Sequence, residues 1–424
     1  MELRPSLDAA ATEELVGLRP PDGGPLDWND DLWADTRNDL VRVPPPGAED
    51  VTVVLPRITD EEERRPAQSF GLREALVLTA VAALQIALAW RVVGTAAADQ
   101  AAMVKAGHQE IAYLLHGRHI TRYETVLPGA PVLYPVLAAA FDAFGGAHAV
   151  HAVNLLFAVL ANVGVYCTAR RFDGPVAGTL AALLFALLSP TQHLSGAGTY
   201  DAPATCLLVW SACFAVRFAF ADGRHAVWLA PVLMLAANWT SYLTVLWDPV
   251  IFALIAFAGP GYSAWKTSRA WNAQRVALVA GVLAEITLLI GRAPSFTGIA
   301  ATVMDRSASH STTRIVLTHC AQWLWPVLVP ALLGVITAAW RLQRGAAARA
   351  DVAVCATLLA AGLLAPLNQL RWHSLDGGLS HCAISAAFAA VAAGVFLRRL
   401  CSAVRGRLLQ RQDDEFHRLN TQAE

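Results

Sequence analysis

The sequence predicts an all-α, polytopic integral membrane protein with about ten transmembrane helices and two juxtamembrane helices in its first outer loop. Three observations carry this. The 424 residues are 55% hydrophobic and 15% charged, with a mean hydropathy of +0.44, which is more apolar than soluble domains tolerate. From Leu76 onward the apolar residues gather in runs close to the roughly 20 residues needed to cross about 30 Å of hydrocarbon. Charge is also divided along the chain: residues 1–70 hold 16 acidic groups against 7 arginines (−9), whereas the rest holds 25 basic against 17 acidic (+8). A soluble enzyme is excluded. Nucleic acid is not an expected partner either, because the basic residues lie singly or in pairs between apolar stretches rather than on one face.

The first 72 residues read as a disordered acidic cytoplasmic tail. They contain Pro20-Pro21, Gly23-Gly24, Pro44-Pro45-Pro46 and the run Asp60-Glu61-Glu62-Glu63, with apolar residues too scattered to build a core. Residues 73–398 form the membrane domain, and residues 399–424 a basic cytoplasmic tail. Clear spans are expected at 75–95, 150–168, 174–190, 202–220, 276–291, 321–340, 351–367 and 381–397. The run from Ala226 to Gly259 is too long for one span and is broken at Asn238-Trp239-Thr240-Ser241 and Trp247-Asp248-Pro249, so it reads as a tight helical hairpin.

Loop arginines orient these ten spans. With the acidic tail and both termini cytoplasmic, sixteen basic residues fall inside, among them Arg170, Arg171, Arg341, Arg344, Arg398 and Arg399, against seven outside. The positive-inside rule favours this arrangement in a multi-pass plasma-membrane protein. Residues 131–146 are apolar but short, and contain Pro135 and Asp142. Counting them as a span would invert every later loop, so they are expected to form an interfacial or re-entrant helix on the outer side. Residues 100–117, with Met103, Gly107, Ile111 and Leu114 at helical spacing, form the other juxtamembrane helix.

This orientation brings Asp99, just after the first span, to the same outer face as Asp201, at the mouth of the fourth. Ten of the twelve histidines also map to that side, including His193 and His381. His116-x-x-His119 has an i, i+3 spacing that suits a metal, but Gly117 intervenes and no carboxylate is placed beside it, so the metal reading is the lesser one. Asp248 before Pro249 reads as a satisfied turn. Asn238-Trp239-Thr240 matches a glycosylation sequon, taken here as accidental at so short a hairpin tip. The seven cysteines form no CxxC and read as small core residues.

Several of these stretches resemble one family in order and topology. Asp99-Gln100, the helix ending in Leu114-Leu115-His116-Gly117, Pro128-Gly129-Ala130-Pro131-Val132-Leu133-Tyr134-Pro135 and Phe144-Gly145-Gly146 are similar to the first outer loop of membrane glycosyltransferases with the C-type fold. The likeness is to family 39 and the aminoarabinose transferases, which depend on polyprenyl-phosphate sugars. Ala169-Arg170-Arg171-Phe172-Asp173-Gly174 resembles their cytoplasmic turn, Thr199-Tyr200-Asp201-Ala202 their second outer loop, and Gly378-Leu379-Ser380-His381 a late Leu-x-Lys-His element. Departures are Gln100 in place of Glu, Ser380 in place of Lys, and no arginine in His151-Ala152-Val153-Asn154 at the start of the second span.

The resemblance implies an inverting transfer of sugar from a polyprenyl-phosphate donor in the membrane lipid to an acceptor on the outer face. Asp99 is the expected base, with Asp201 as the second catalytic carboxylate. Gln100, Lys105, Arg118, Arg122, Tyr134, Tyr200, Arg371 and His381 are expected to bind substrate. A divalent cation is a possible cofactor, with His116 and His119 as weak ligand candidates. The alternatives are a transporter or flippase of lipid-linked sugar and a catalytically silent scaffold. The absence of an internal inverted repeat counts against transport.

Overall fold

The computed structural model describes residues 71–93, 97–117, 133–220, 226–257, 279, 281–282, 311–344, 349–375 and 377–423. Nearly all of the span expected at 276–291, the tail 1–70, and Arg118, His119 and Arg122 lie outside the described residues.

Every regular element among the described residues is helical. In chain order these are α1 (Leu72–Ala89), continued by a 3-10 turn over Trp90–Val92, then α2 (Ala97–His116), the compound helix α3 (Leu133–Leu187) and the short α4 (Ser189–Gly196). They are followed by α5 (Asp201–Phe220), α6 (Ala226–Asn238), a 3-10 segment over Tyr242–Trp247, α7 (Asp248–Phe257), α8 (Thr313–Gln343), α9 (Arg349–Trp372) and α10 (Gly378–Ala423).

Among the described residues, five helical stretches are long and apolar enough to cross a membrane: Leu72–Val92, Leu133–Leu187, Thr313–Gln343, Asp351–Trp372 and Gly378–Gln412. Asp201–Val216, Trp228–Asn238 and Tyr242–Phe257 are apolar but shorter. The chain is therefore a helical membrane protein, with five such stretches where ten spans were expected. Three causes account for the gap. α3 counts once although it holds two expected spans, the expected span 202–220 and the hairpin at 226–257 supply only shorter apolar helices, and 276–291 is almost wholly undescribed.

Two glycine breaks divide α3 into arms at 133–144, 147–172 and 175–187. Gly146 takes φ +63° and Gly174 φ +82°, a region that a side chain strongly disfavours. Pro175 then opens the third arm, where its missing N–H costs no helical bond. The first arm is about 18 Å long at 1.5 Å per residue, too short to cross the hydrocarbon unaided. It packs on α2 through Gly107, where any Cβ would run into the Pro135 carbonyl. His108 and Asp142 join the same two helices at 3.3 Å.

Helix α10 lies at the centre. Residues 382–395 are buried throughout. A Cβ at Gly394 would stand 2.6 Å from the Ala177 carbonyl oxygen and 2.7 Å from the Ala181 Cβ, so small residues set the approach of α10 to the third arm of α3, as in close-packed membrane helices. Away from that contact, Gln85 of α1 donates to the Ser195 hydroxyl of α4 at 3.0 Å and accepts from Asn162 of α3 at 2.8 Å. This fully buried polar link ties α4 into the bundle.

Polar contacts sort the helix ends into two groups. At one end Arg170 pairs with Glu74 at 3.2 Å, while Arg398 and Arg399 both hold Asp173, at 2.8 and 3.2 Å. This end gathers the start of α1, the second break of α3 and the exit of α10. At the opposite end Gln100 donates to the Ala147 carbonyl at 3.2 Å and the Tyr134 hydroxyl to the Gly198 carbonyl at 3.0 Å. Both ends of segment 133–146 thus lie at one end of the bundle, and the segment does not cross it.

The break expected at 238–241 is present, between α6 and the 3-10 segment over Tyr242–Trp247. Asn238 is fully buried, donating to Asp248 at 2.9 Å and accepting from Thr244 at 2.6 Å. Asp248, at the start of α7, accepts this bond on Oδ2, and the sequon nitrogen is committed inside the fold.

Candidate functional site

The end of the bundle opposite the Asp173 pairs holds Asp99, Gln100, Tyr134, Tyr200, Asp201 and His381 of the residues that the sequence singled out. Asp99 lies in the first turn of α2 with its side chain exposed, and Gln100 beside it is buried. The loop after α4 passes directly over them. Gly198 lies so close to the Gln100 amide that a Cβ there would collide with Oε1. Three residues later Asp201 opens α5, where a carboxylate is favoured by the unpaired N–H groups of the first turn.

Asp201 is 7% exposed. Thr199 donates to its Oδ2 at 3.0 Å, and the Ser380 hydroxyl at the start of α10 donates to it as well. Asp201 lies outside the five spanning stretches, and burial pushes its carboxyl up to about 6, with the Asp99 charge adding to the shift and the two hydroxyls opposing it. The two carboxylates are thus unlike: one open to solvent, the other enclosed and held by hydroxyl donors.

A second layer frames this pair. Tyr134 is 1% exposed; its hydroxyl receives Asn154 Nδ2 at 2.6 Å while donating to Gly198. Tyr200 packs with Met103, Ala138 and Val150 around the Tyr134 ring. Tyr134 therefore fixes the loop 197–200 through the Gly198 carbonyl, while Gln100 packs against Gly198 and bonds the Ala147 carbonyl of α3. His193 of α4 is partly buried, and that burial lowers its affinity for a proton while the nearby Asp99 charge raises it.

His381 is buried one residue beyond Ser380, with Gln369 Nε2 at 2.7 Å from its Nδ1. Lys105 is exposed on α2, and Arg371 is exposed at the end of α9 with its guanidinium 4.8 Å from the Trp372 ring centre. His116 is exposed in the last turn of α2, and its expected partner His119 is outside the described residues, as are Arg118 and Arg122. Among the described residues no three His, Cys, Asp or Glu side chains come together as a metal would require.

Sequence reading missed Thr199, Asn154 and the role of Ser380. Ser380 stood out only as a position without the family lysine, and Asn154 only within a stretch that lacks the family arginine, yet both bond into the frame around the carboxylates. Thr199, two residues before Asp201, was the one legible signal, since a hydroxyl at that spacing commonly bonds a following Asp at a helix start.

The sequence matches no known family model and no curated protein. The fold does have solved counterparts. It is similar to the apo crystal structure of the oligosaccharyltransferase of Archaeoglobus fulgidus, at TM-score 0.50 and 12% identity over 80% of this chain and 52% of that one. The archaeal oligosaccharyltransferase AglB of the same organism, in complex with an inhibitory peptide and a dolichol-phosphate, aligns at TM-score 0.48 and 13% identity over 79% and 52%. The chain spans about half the length of these proteins. At such identity the first likeness is one of fold, and it agrees with the C-type membrane glycosyltransferase fold that the outer-loop residues resemble.

Proposed function

We propose that the protein is a membrane glycosyltransferase that moves a sugar from a polyprenyl-phosphate donor to an acceptor hydroxyl at the outer end of the bundle. The observation that carries this reading is that the exposed Asp99 lies at the same end as the buried Asp201, near enough for its charge to bear on Asp201, in a fold similar to that of an oligosaccharyltransferase. In the reaction Asp99, exposed and able to reach an incoming acceptor, takes the proton from the acceptor hydroxyl. The acceptor oxygen bonds to the anomeric carbon as the bond to the lipid phosphate breaks, which inverts that carbon in a single displacement. Asp201, held by Thr199 and Ser380, accepts hydroxyls of the sugar and fixes its pose.

The departing phosphate carries negative charge and needs donors. Lys105 and Arg371 are the described cations assigned to it, with Arg118 and Arg122, outside the described residues, as the others. Arginine suits the role because its fork can bond two phosphate oxygens. Family 39 and the aminoarabinose transferases remain the models for the donor, and the plasma membrane with cytoplasmic termini for location.

The test is discharge of labelled polyprenyl-phosphate sugars by purified protein, comparing wild type with Asp99→Asn. The amide keeps the size but cannot take a proton, so turnover should fall at least about 100-fold, roughly 2.7 kcal/mol of transition-state stabilisation, with donor binding retained. Turnover within about threefold of wild type would remove Asp99 as the base and leave Asp201 as the next choice. A wild type that never consumes donor would return the protein to the transporter or scaffold class.

A further inference from the structure

Among the seven cysteines two pairs touch. The thiols of Cys320 on α8 and Cys382 on α10 hydrogen-bond each other, as do those of Cys167 on α3 and Cys213 on α5. Helix register places the first pair independently. α8 and α10 run in the same direction: the Trp323 ring lies 3.2 Å from where a Gly378 Cβ would be, and further along a Cβ on Gly334 would stand 3.3 Å from that of Phe396. Fourteen residues back from Gly334 is Cys320, and fourteen back from Phe396 is Cys382. That step is about four turns on each helix, so the face of α8 that meets α10 carries one thiol to the other. Cys320 is 4% exposed and Cys382 fully buried.

The two pairs lie at opposite ends of the bundle. Cys382 is two residues beyond Ser380, which donates to Asp201 at the carboxylate end. Cys167 is three residues before Arg170, which holds Glu74 at the other end. Disulfides form and persist outside the cell, whereas cytosolic thiols are kept reduced. A disulfide also needs its Cβ atoms roughly 3.5 to 4.5 Å apart, which helices as close as α8 and α10 can supply.

From this arrangement we infer that Cys320 and Cys382 are oxidised to a disulfide that clamps α8 to α10 at the outer end, while Cys167 and Cys213 stay as thiols. The oxidant is a disulfide-bearing protein of the cell envelope. One cysteine, as thiolate, attacks the oxidant's disulfide to form a mixed disulfide, and the second displaces the oxidant from it. Two S–H bonds are lost and one S–S bond is made. The oxidant takes up the two electrons and two protons and leaves as a dithiol. Exchange takes place as α10 docks, before packing seals the pair, and the same packing then shields the bond from reductants. The clamp closes beneath Ser380 and His381, so it fixes the end of α10 that gives Asp201 a hydroxyl donor. The inference rests on the outer placement of the carboxylate end and needs no sugar chemistry.

Differential alkylation of the full-length protein tests it. Cells are quenched in acid, the denatured protein is blocked with N-ethylmaleimide, and it is then reduced and labelled with an isotopically heavy maleimide. Mass spectrometry should find Cys320 and Cys382 mostly heavy, at least about fourfold over light, and Cys167 and Cys213 mostly light. Cys320→Ser should cut the heavy label on Cys382 at least tenfold. If that variant fails to accumulate, Cys382→Ser read at Cys320 and the wild-type pattern still decide. Light label on both Cys320 and Cys382 in the wild type, or heavy label kept on the remaining cysteine of either variant, would overturn the clamp. Reduced Cys320 and Cys382 in a protein whose Ala147→Cys reacts from outside would defeat this inference alone. Heavy label on Cys167 and Cys213 instead, with Ala147→Cys reacting from inside, would defeat the outer placement and the inference with it. An oxidised pair in a protein that discharges no donor would defeat the proposed activity alone.

Discussion

Asp201 is where environment and chemistry meet most directly. Its carboxyl is pushed up to about 6 by burial, so the folded protein holds a proton there that the unfolded chain has already released. Stability attributable to this group is therefore present at low pH and lost as pH rises through about 4 to 6. Asp201→Asn, which removes the buried charge but keeps an acceptor for Thr199 and Ser380, should melt higher than wild type at pH 8. The difference, at most about 3 kcal/mol, should close by pH 4. Thermal unfolding at the two pH values checks this, and an equal difference at both would show that the carboxyl ionises freely. Asp99 and Asp201 were legible in the sequence as a pair at one end, because span counting and arginine placement decide the end. Their surroundings were not. Gln100 and Ala147 are 47 positions apart, and Asn154 meets Tyr134 across 20. No local pattern says that an uncharged residue at a family's cation position will bond to the frame.

At the scale of helices, glycines decide what touches. The stretch ending in Asp173-Gly174 reads as a turn and breaks α3 there; Gly145-Gly146, which the sequence placed only within the first outer loop, breaks it as well. It also identified 131–146 as non-crossing, from its length and Pro135. Less legible was α4, since Ser189–Gly196 is too short and too polar to stand out from a loop. It is a helix because Gln85 and the neighbouring helix ends enclose it. Close approach makes a contrast between two glycines of α10. Gly394→Leu would push against the Ala177 carbonyl, and overpacking of this kind costs about 1 to 3 kcal/mol or more. Gly406→Ala meets nothing within 4 Å and should add about 0.5 to 1 kcal/mol by favouring helix. Melting of both variants in one detergent tests the pair, and a neutral Gly394→Leu would mean that the α3–α10 contact is looser than the structure gives it.

For the molecule as a whole, sidedness follows from which ends meet. Ala147 is exposed at the carboxylate end, and Ser402 is exposed just beyond the Arg398 and Arg399 pairs at the other. In a cysteine-free background, Ala147→Cys should react with an impermeant thiol reagent from outside intact cells and Ser402→Cys only after the cells are opened. Reaction of both from the same side would overturn the two-ended arrangement. The sequence reached this alternation through the arginines, and two of those it placed inside turn out to clamp Asp173 while a third holds Glu74. Charges that read as orientation signals also fasten the helices at that end.

The central position of α10 has a consequence for how the molecule is made. It follows all the other described helices in chain order, yet the third arm of α3 and helices α8 and α9 pack against it. While the ribosome is still translating residues before 378, those earlier helices are already in the bilayer with an alanine-lined groove and no occupant. A nascent chain stalled there would hold a hollow bundle, open to lipid, to quality-control proteases or to wrong partners. Assembly can become committed only when the Gly394 region enters the bilayer and fills the groove.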